Sequence, residues 1–127
     1  MEGEIMAKKI LVVDDEKDII KLLEIRLKGH GFELISASNG AHAVEQVRAE
    51  EPDLVILDVM MPSPNGFQVC RMMKDDPELR RIPVILLTAK ANESDKFWGM
   101  ESGADAYETK PYDFTSLFKK IQGLLKE

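Results

Sequence analysis

Five polar residues stand at the ends of short apolar runs, and their types suit metal-assisted phosphoryl chemistry. Ile10-Leu11-Val12-Val13 stops at Asp14-Asp15, and Leu54-Val55-Ile56-Leu57 stops at Asp58. Val84-Ile85-Leu86-Leu87 stops at Thr88, and a weaker run from Ala104 to Thr109 stops at Lys110-Pro111. If these runs are parallel strands, all five residues share the carboxyl edge of one sheet, where open α/β sheets gather their ligands. Three carboxylates brought that close repel one another, and the usual resolutions are a shared proton or a bound cation. A hard divalent ion with oxygen ligands, Mg²⁺ above all, suits such a cluster, and it typically also meets phosphate oxygens. Thr88 and Lys110 supply a hydroxyl and an ammonium for those oxygens. The reaction class that follows is phosphoryl transfer, with one carboxylate as nucleophile.

The elements that must position these residues alternate along the chain. Apolar runs without polar interruption fit strands buried on both faces. After the first run, Asp18 to Lys28 carries Ile19, Leu22, Leu23 and Leu27 at helical spacing, with Gly29 or Gly31 as the stop. Phe32 to Ala37 reads as a short strand, and Asn39 as the N-cap of a helix to Glu50 with Ala43, Val44 and Val47 on one face. The loop from Met60 holds two prolines and Asn65-Gly66, a turn-and-cap signature before a helix from about Phe67 to Lys74. Asn92 can cap a helix to about Ser102 that Gly103 stops, and a final helix runs from about Asp113 to Lys126. Its stripe is Phe114, Leu117, Phe118, Ile121, Leu124 and Leu125. Five strand–helix repeats predict a doubly wound α/β domain, because parallel neighbours need right-handed helical crossovers.

Bulk properties narrow the function further. With 127 residues, 44% hydrophobic and 31% charged, the chain fits one globular domain able to bury a core unaided. Its net charge of -6 argues against direct nucleic-acid binding. The single cysteine, Cys70, cannot pair internally and fits a reducing, cytoplasmic setting. No apolar stretch approaches the roughly 20 residues that cross a bilayer. Residues 1–7 read as a flexible leader, with Met6 an alternative start, and 8–127 as the domain.

The order and spacing of these motifs resemble the receiver domain of two-component response regulators, of the chemotaxis-regulator-like kind. Asp58-Val59-Met60-Met61-Pro62 followed by Asn65-Gly66 resembles the phosphoacceptor loop, and Gly103-Ala104-Asp105-Ala106-Tyr107 before Lys110-Pro111 resembles the last-strand signature. The resemblance implies a flavodoxin-like, five-stranded parallel sheet of order 2-1-3-4-5 with five helices. It implies that Asp58 accepts a phosphoryl group from a sensor histidine kinase or phosphotransfer protein, with Mg²⁺ as cofactor. Asp14, Asp15, Asp58 and the backbone carbonyl of Met60 match the metal-binding positions, Thr88 and Lys110 the groups that bind phosphoryl oxygens, and Tyr107 the aromatic switch. Lys110-Pro111 matches a cis peptide bond. The implied protein is a regulatory domain rather than an enzyme, assisting its own phosphotransfer and autodephosphorylation. It presents a face of fourth helix, fifth strand and fifth helix to an unknown target, as a monomer or a phosphorylation-dependent homodimer.

Each residue also has a plain reading. Asp14-Asp15 or Asp58 alone suits a helix-capping loop, Thr88 a polar strand end, Lys110 a solvated charge, and Tyr107 a half-buried strand aromatic. His30 and His42 lack metal-ligand spacing, and Cys70 reads as a small core residue beside Phe67 and Met73. Pro64-Asn65 stands where the family more often has Met-Asp, which predicts an altered loop shape. Met60 and Lys90 flank the expected phosphoryl position, and Trp98 falls near the switch face. Ser116 and Gln122 depart from the charged dimerisation network of winged-helix regulators, which lowers a transcription-factor parentage. Two rival classes differ in signature. A Mg²⁺-dependent phosphatase usually carries Asp-x-Asp on its first strand, and a phosphate-independent interaction module has no need of the complete polar set.

Overall fold

The computed structural model describes residues 7–88, 101–110 and 113–126. Five strands, β1 (Lys9–Val13), β2 (Glu33–Ala37), β3 (Leu54–Asp58), β4 (Val84–Thr88) and β5 (Ala106–Thr109), form one sheet of order β2-β1-β3-β4-β5. Every pairing is parallel. Four helices are described in full: α1 (Lys17–Lys28), α2 (Gly40–Glu50), α3 (Gly66–Asp75) and α4 (Phe114–Leu125). Glu101 and Ser102 are also helical. The rest of the helix expected from Asn92, together with Lys90, Trp98 and Pro111, lies outside the described residues.

Alternation along each strand feeds two cores, one on each face of the sheet. Leu11, Val13, Val55, Leu57, Val84 and Leu86 pack with Ala43, Val47, Val69, Cys70 and Met73 from α2 and α3. The intervening residues Ile10, Val12, Leu54, Ile56, Ile85 and Leu87 pack with Leu23, Leu27, Leu117 and Ile121 from α1 and α4. Burial on both faces is why the central strands read as unbroken apolar runs. Two side-chain caps fix helix starts as expected. Asn39 Oδ1 accepts from the His42 amide at 2.8 Å, and Asn65 forms a capping box with Gln68 at 2.9 and 2.7 Å.

Two expectations need correction. Leu22 is not part of the buried stripe of α1 but is 48% exposed, because Leu23 and Leu27 face the sheet and carry Ile19 and Ile20 partway in. β5 begins at Ala106 rather than Ala104. Asp105 instead accepts from Lys74 Nζ and the Val84 amide, each at 2.8 Å, and Gly103 adopts φ +84°, which holds this stretch as a tethered loop. Ser63–Pro64 is a cis peptide bond, and the Lys110–Pro111 bond expected to be cis lies outside the described residues.

Candidate functional site

The register brings the predicted residues to one edge. Val13 lies beside Leu57 across β1 and β3, so Asp14 and Asp58 follow on neighbouring strands. The β1–β3 boundary is also where the strand order reverses, the place at which this architecture opens a crevice. Thr88 pairs with Thr109, and the Lys110 amide donates to the Thr88 carbonyl at 2.7 Å, which sets Lys110 at the same edge.

Lys110 joins the carboxylates. Its Nζ lies 3.1 Å from Asp14 Oδ2, 3.3 Å from Asp58 Oδ1 and 3.7 Å from Glu16 Oε1. Asp14 and Asp58 are buried, and Lys110 is nearly so. Asp14 Oδ1 also accepts from the Glu16 amide at 2.9 Å, and Asp58 Oδ1 from the Met60 amide at 3.2 Å. Carboxylate oxygens of Asp14, Asp15 and Glu16 lie within 4.8 Å of one another. All-oxygen donors on a partly exposed rim fit a hard divalent cation such as Mg²⁺.

Electrostatics follow from this burial. Desolvation pushes the Asp14 carboxyl above its ordinary pKa and nearby Asp58 adds to the rise, while the Glu16 amide and Lys110 oppose it. For Lys110, desolvation works against the charge, but the hydrogen bond and attraction of Asp14, with help from Asp58, outweigh it and raise the pKa. The pair therefore secures the ammonium more fully than it compensates Asp14. A carboxyl whose pKa is raised by folding binds protons better folded than unfolded, so it costs stability as pH climbs through the raised range. In Mg²⁺-free solution, Asp14→Asn should flatten the fall in stability as pH rises above about 4. Urea midpoints at several pH values measure this, and an unchanged slope would show that Asp14 is already compensated.

The loop after Asp58 is cinched to its strand. A Cβ at Gly66 would lie 2.4 Å from the Asp58 carbonyl oxygen, and one at Gly40 would lie 2.1 Å from that of Pro64. Gly66→Ala isolates the consequence, because helix propensity alone favours alanine by about 1 kcal/mol. Displacing the loop should instead cost about 2 kcal/mol net. A lower urea midpoint at constant m-value checks the sign, and a stabilised variant would show that the loop yields freely.

The remaining predicted residues fall into place unevenly. Thr88 is buried at the edge, and Tyr107 is half-buried against the core beneath α2 and α3. Met60 is 66% exposed beside Asp58. Cys70 is a core residue, its Sγ 3.5 Å from the Ser102 carbonyl. His30 is exposed, with its ring 4.3 Å from that of Phe118, and stands apart from the carboxylates. Two charged residues escaped the sequence reading. One is Glu16, and the other is Glu108, buried on β5 and bonded to Lys120 Nζ at 2.7 Å and Ser116 Oγ at 2.9 Å. A charge next to an acidic pair, or inside a weak strand, gave no periodic signal to mark either one.

Comparison with known proteins agrees with this geometry. The family model for the response regulator receiver domain matches residues 10–122. A solved structure from Chloroflexus aurantiacus, described as a response regulator, superposes with TM-score 0.90 at 31% identity, over 96% of this chain and 100% of that one. The receiver domain of a signal transduction histidine kinase from Syntrophus aciditrophicus gives 0.89 at 38% identity, over 94% and 91%. The phosphorylated cyanobacterial phytochrome response regulator RcpA gives 0.80 at 32% identity, over 94% and 91%. No helix among the described residues is long and apolar enough to cross a membrane. The chain belongs to the response regulator receiver domain family, the phosphorylation-based switches of two-component signalling.

Proposed function

We propose that Asp58 accepts a phosphoryl group from a histidine kinase or phosphotransfer protein and that the resulting charge resets a partner-binding surface. The observation that carries this reading is the buried cluster in which one ammonium, Lys110, lies between Asp14 and Asp58. The phosphorus–nitrogen bond of a donor phosphohistidine breaks as the bond from Asp58 Oδ forms, and the imidazole takes the leaving electron pair. Asp14, Asp15, Asp58 and the Met60 carbonyl are the residues that hold Mg²⁺. The bound ion supplies neutralisation of the carboxylates and of the phosphoryl oxygens.

Phosphorylation takes Asp58 from one negative charge to about −2 and adds three acceptor oxygens. Lys110 pairs with them, and Thr88 hydrogen-bonds one of them. Tyr107 then turns toward the space that Thr88 leaves, repacking the face made by the helix expected from Asn92, β5 and α4. A useful switch must favour one state by several kcal/mol. This is regulation by a cytoplasmic domain spanning residues 8–127, with no direct nucleic-acid or membrane contact, as a monomer or a phosphorylation-dependent homodimer. Incubation with Mg²⁺ and a small phosphodonor, followed by intact mass measurement, tests the reading. One stoichiometric phosphate adduct supports it. Continued turnover of unrelated phosphate esters would indicate a phosphatase, and no adduct from either small donor or cognate kinase would indicate a phosphate-independent module.

A further inference from the structure

Glu16 occupies the N-cap of α1 with extended backbone (φ -96°, ψ 109°), yet its carboxylate makes no capping hydrogen bond. Side chains at an N-cap ordinarily accept from free helix amides, and the short polar residues do this best. Glu16 contributes its backbone instead. Its amide donates to Asp14 Oδ1 at 2.9 Å, and its carbonyl accepts from the amides of Ile19 and Ile20 at 3.1 and 3.3 Å. The side chain stays at the rim, 65% exposed, with Oε1 3.7 Å from Lys110 Nζ.

The three anionic partners of Lys110 among the described residues are therefore unequal. Asp14 and Asp58 are buried and are also the carboxylates that the cation requires, so cation and ammonium compete for them. Glu16 is a third partner at the mouth of the site. Leaning toward it, Lys110 can yield Asp14 and Asp58 without losing all compensation, and it remains beside the position an incoming phosphoryl group must take. We propose that Glu16 is a positioning residue that holds Lys110 at the rim and so eases the seating of the divalent cation. This rests on the function proposed above, which assigns the cation to the same carboxylates.

Mg²⁺ titration of the full chain, followed by NMR with the Lys110 ammonium signal as a second readout, tests the idea. Glu16→Gln, nearly isosteric, should raise the Mg²⁺ dissociation constant about three- to tenfold, the scale expected for removing a unit charge near a divalent ion and its competitor. Glu33→Gln makes the same change in net charge at the opposite edge of the sheet, beside Lys9, and should leave Mg²⁺ binding unchanged. In a Lys110→Met background the Glu16→Gln effect should fall to less than half. Added Mg²⁺ should shift the Lys110 signal in the unsubstituted chain, and shift it less in Glu16→Gln. Equal losses in the two Glu variants, an undiminished loss without Lys110, or identical Lys110 shifts would each overturn the proposal. The NMR shift decides the matter if Lys110→Met does not fold. An unsubstituted chain that binds no Mg²⁺ would instead refute the functional reading itself.

Discussion

Asp58→Asn is expected to abolish phosphoryl uptake altogether while leaving the fold intact. Asparagine keeps the volume and an Oδ1 that can still accept from the Met60 amide, now 3.2 Å away, so the loop loses no hydrogen bond. An amide oxygen is a far weaker nucleophile than a carboxylate, and no base lies in the proposed route to activate it. Removing the Asp58 charge, across Lys110 from Asp14, also eases crowding among the acids, so the unfolding midpoint should hold or rise. Intact mass after treatment with a small phosphodonor and Mg²⁺ should show the adduct in the unsubstituted chain and none in the variant. An adduct that survives in Asp58→Asn would move the acceptor to another residue and sink the assignment.

The central architecture was readable because burial on both faces leaves a continuous apolar signature, as in Leu54 to Leu57 and Val84 to Leu87. Helix starts were readable where a short polar side chain caps them, as at Asn39 and Asn65. Signals failed where distant contacts decide the outcome. The start of β5 depends on Asp105 reaching Lys74 and the Val84 amide, partners far away in the chain. Leu22 fits a helical stripe by spacing, but the face α1 turns to the sheet is centred on Leu23 and Leu27, with Ile19 and Ile20 beside them.

The site shows the same division. Its five polar residues were legible because each terminates an apolar run, while their pairing was not. Lys110 meets Asp14 across 96 positions of sequence, and only the parallel register makes that contact inevitable. Glu16 and Glu108 carried no signal in the sequence. Ser116 was notable in sequence for lacking a carboxylate, yet the fold brings one to it from β5 in Glu108, with Lys120 completing the group. Loss of a charge at one position is therefore poor grounds for inferring loss of a charged network.

Lys110→Met should be the most destabilising single change at the site, at about 3 kcal/mol near neutral pH without Mg²⁺. Methionine replaces much of the aliphatic stem, so the loss isolates the ammonium. Without it, Asp14 and Asp58 remain as buried carboxylates with their shared cation gone, and breaking one side of a buried pair costs far more than the pair contributes. The sign of the pH dependence separates this account from a packing defect. Loss of Lys110 removes an influence that lowers the Asp14 pKa, so that already raised value climbs further. The folded variant then takes up protons that the unfolded chain does not, and its deficit should shrink as pH falls toward 5 and grow as pH rises. Saturating Mg²⁺ should recover part of the loss at neutral pH by supplying positive charge to the same carboxylates. Urea unfolding at pH 5 and pH 8, with and without Mg²⁺, measures all three effects. A deficit independent of pH and Mg²⁺ would mean that Lys110 stabilises the protein through its stem, and that the buried acids find their compensation elsewhere.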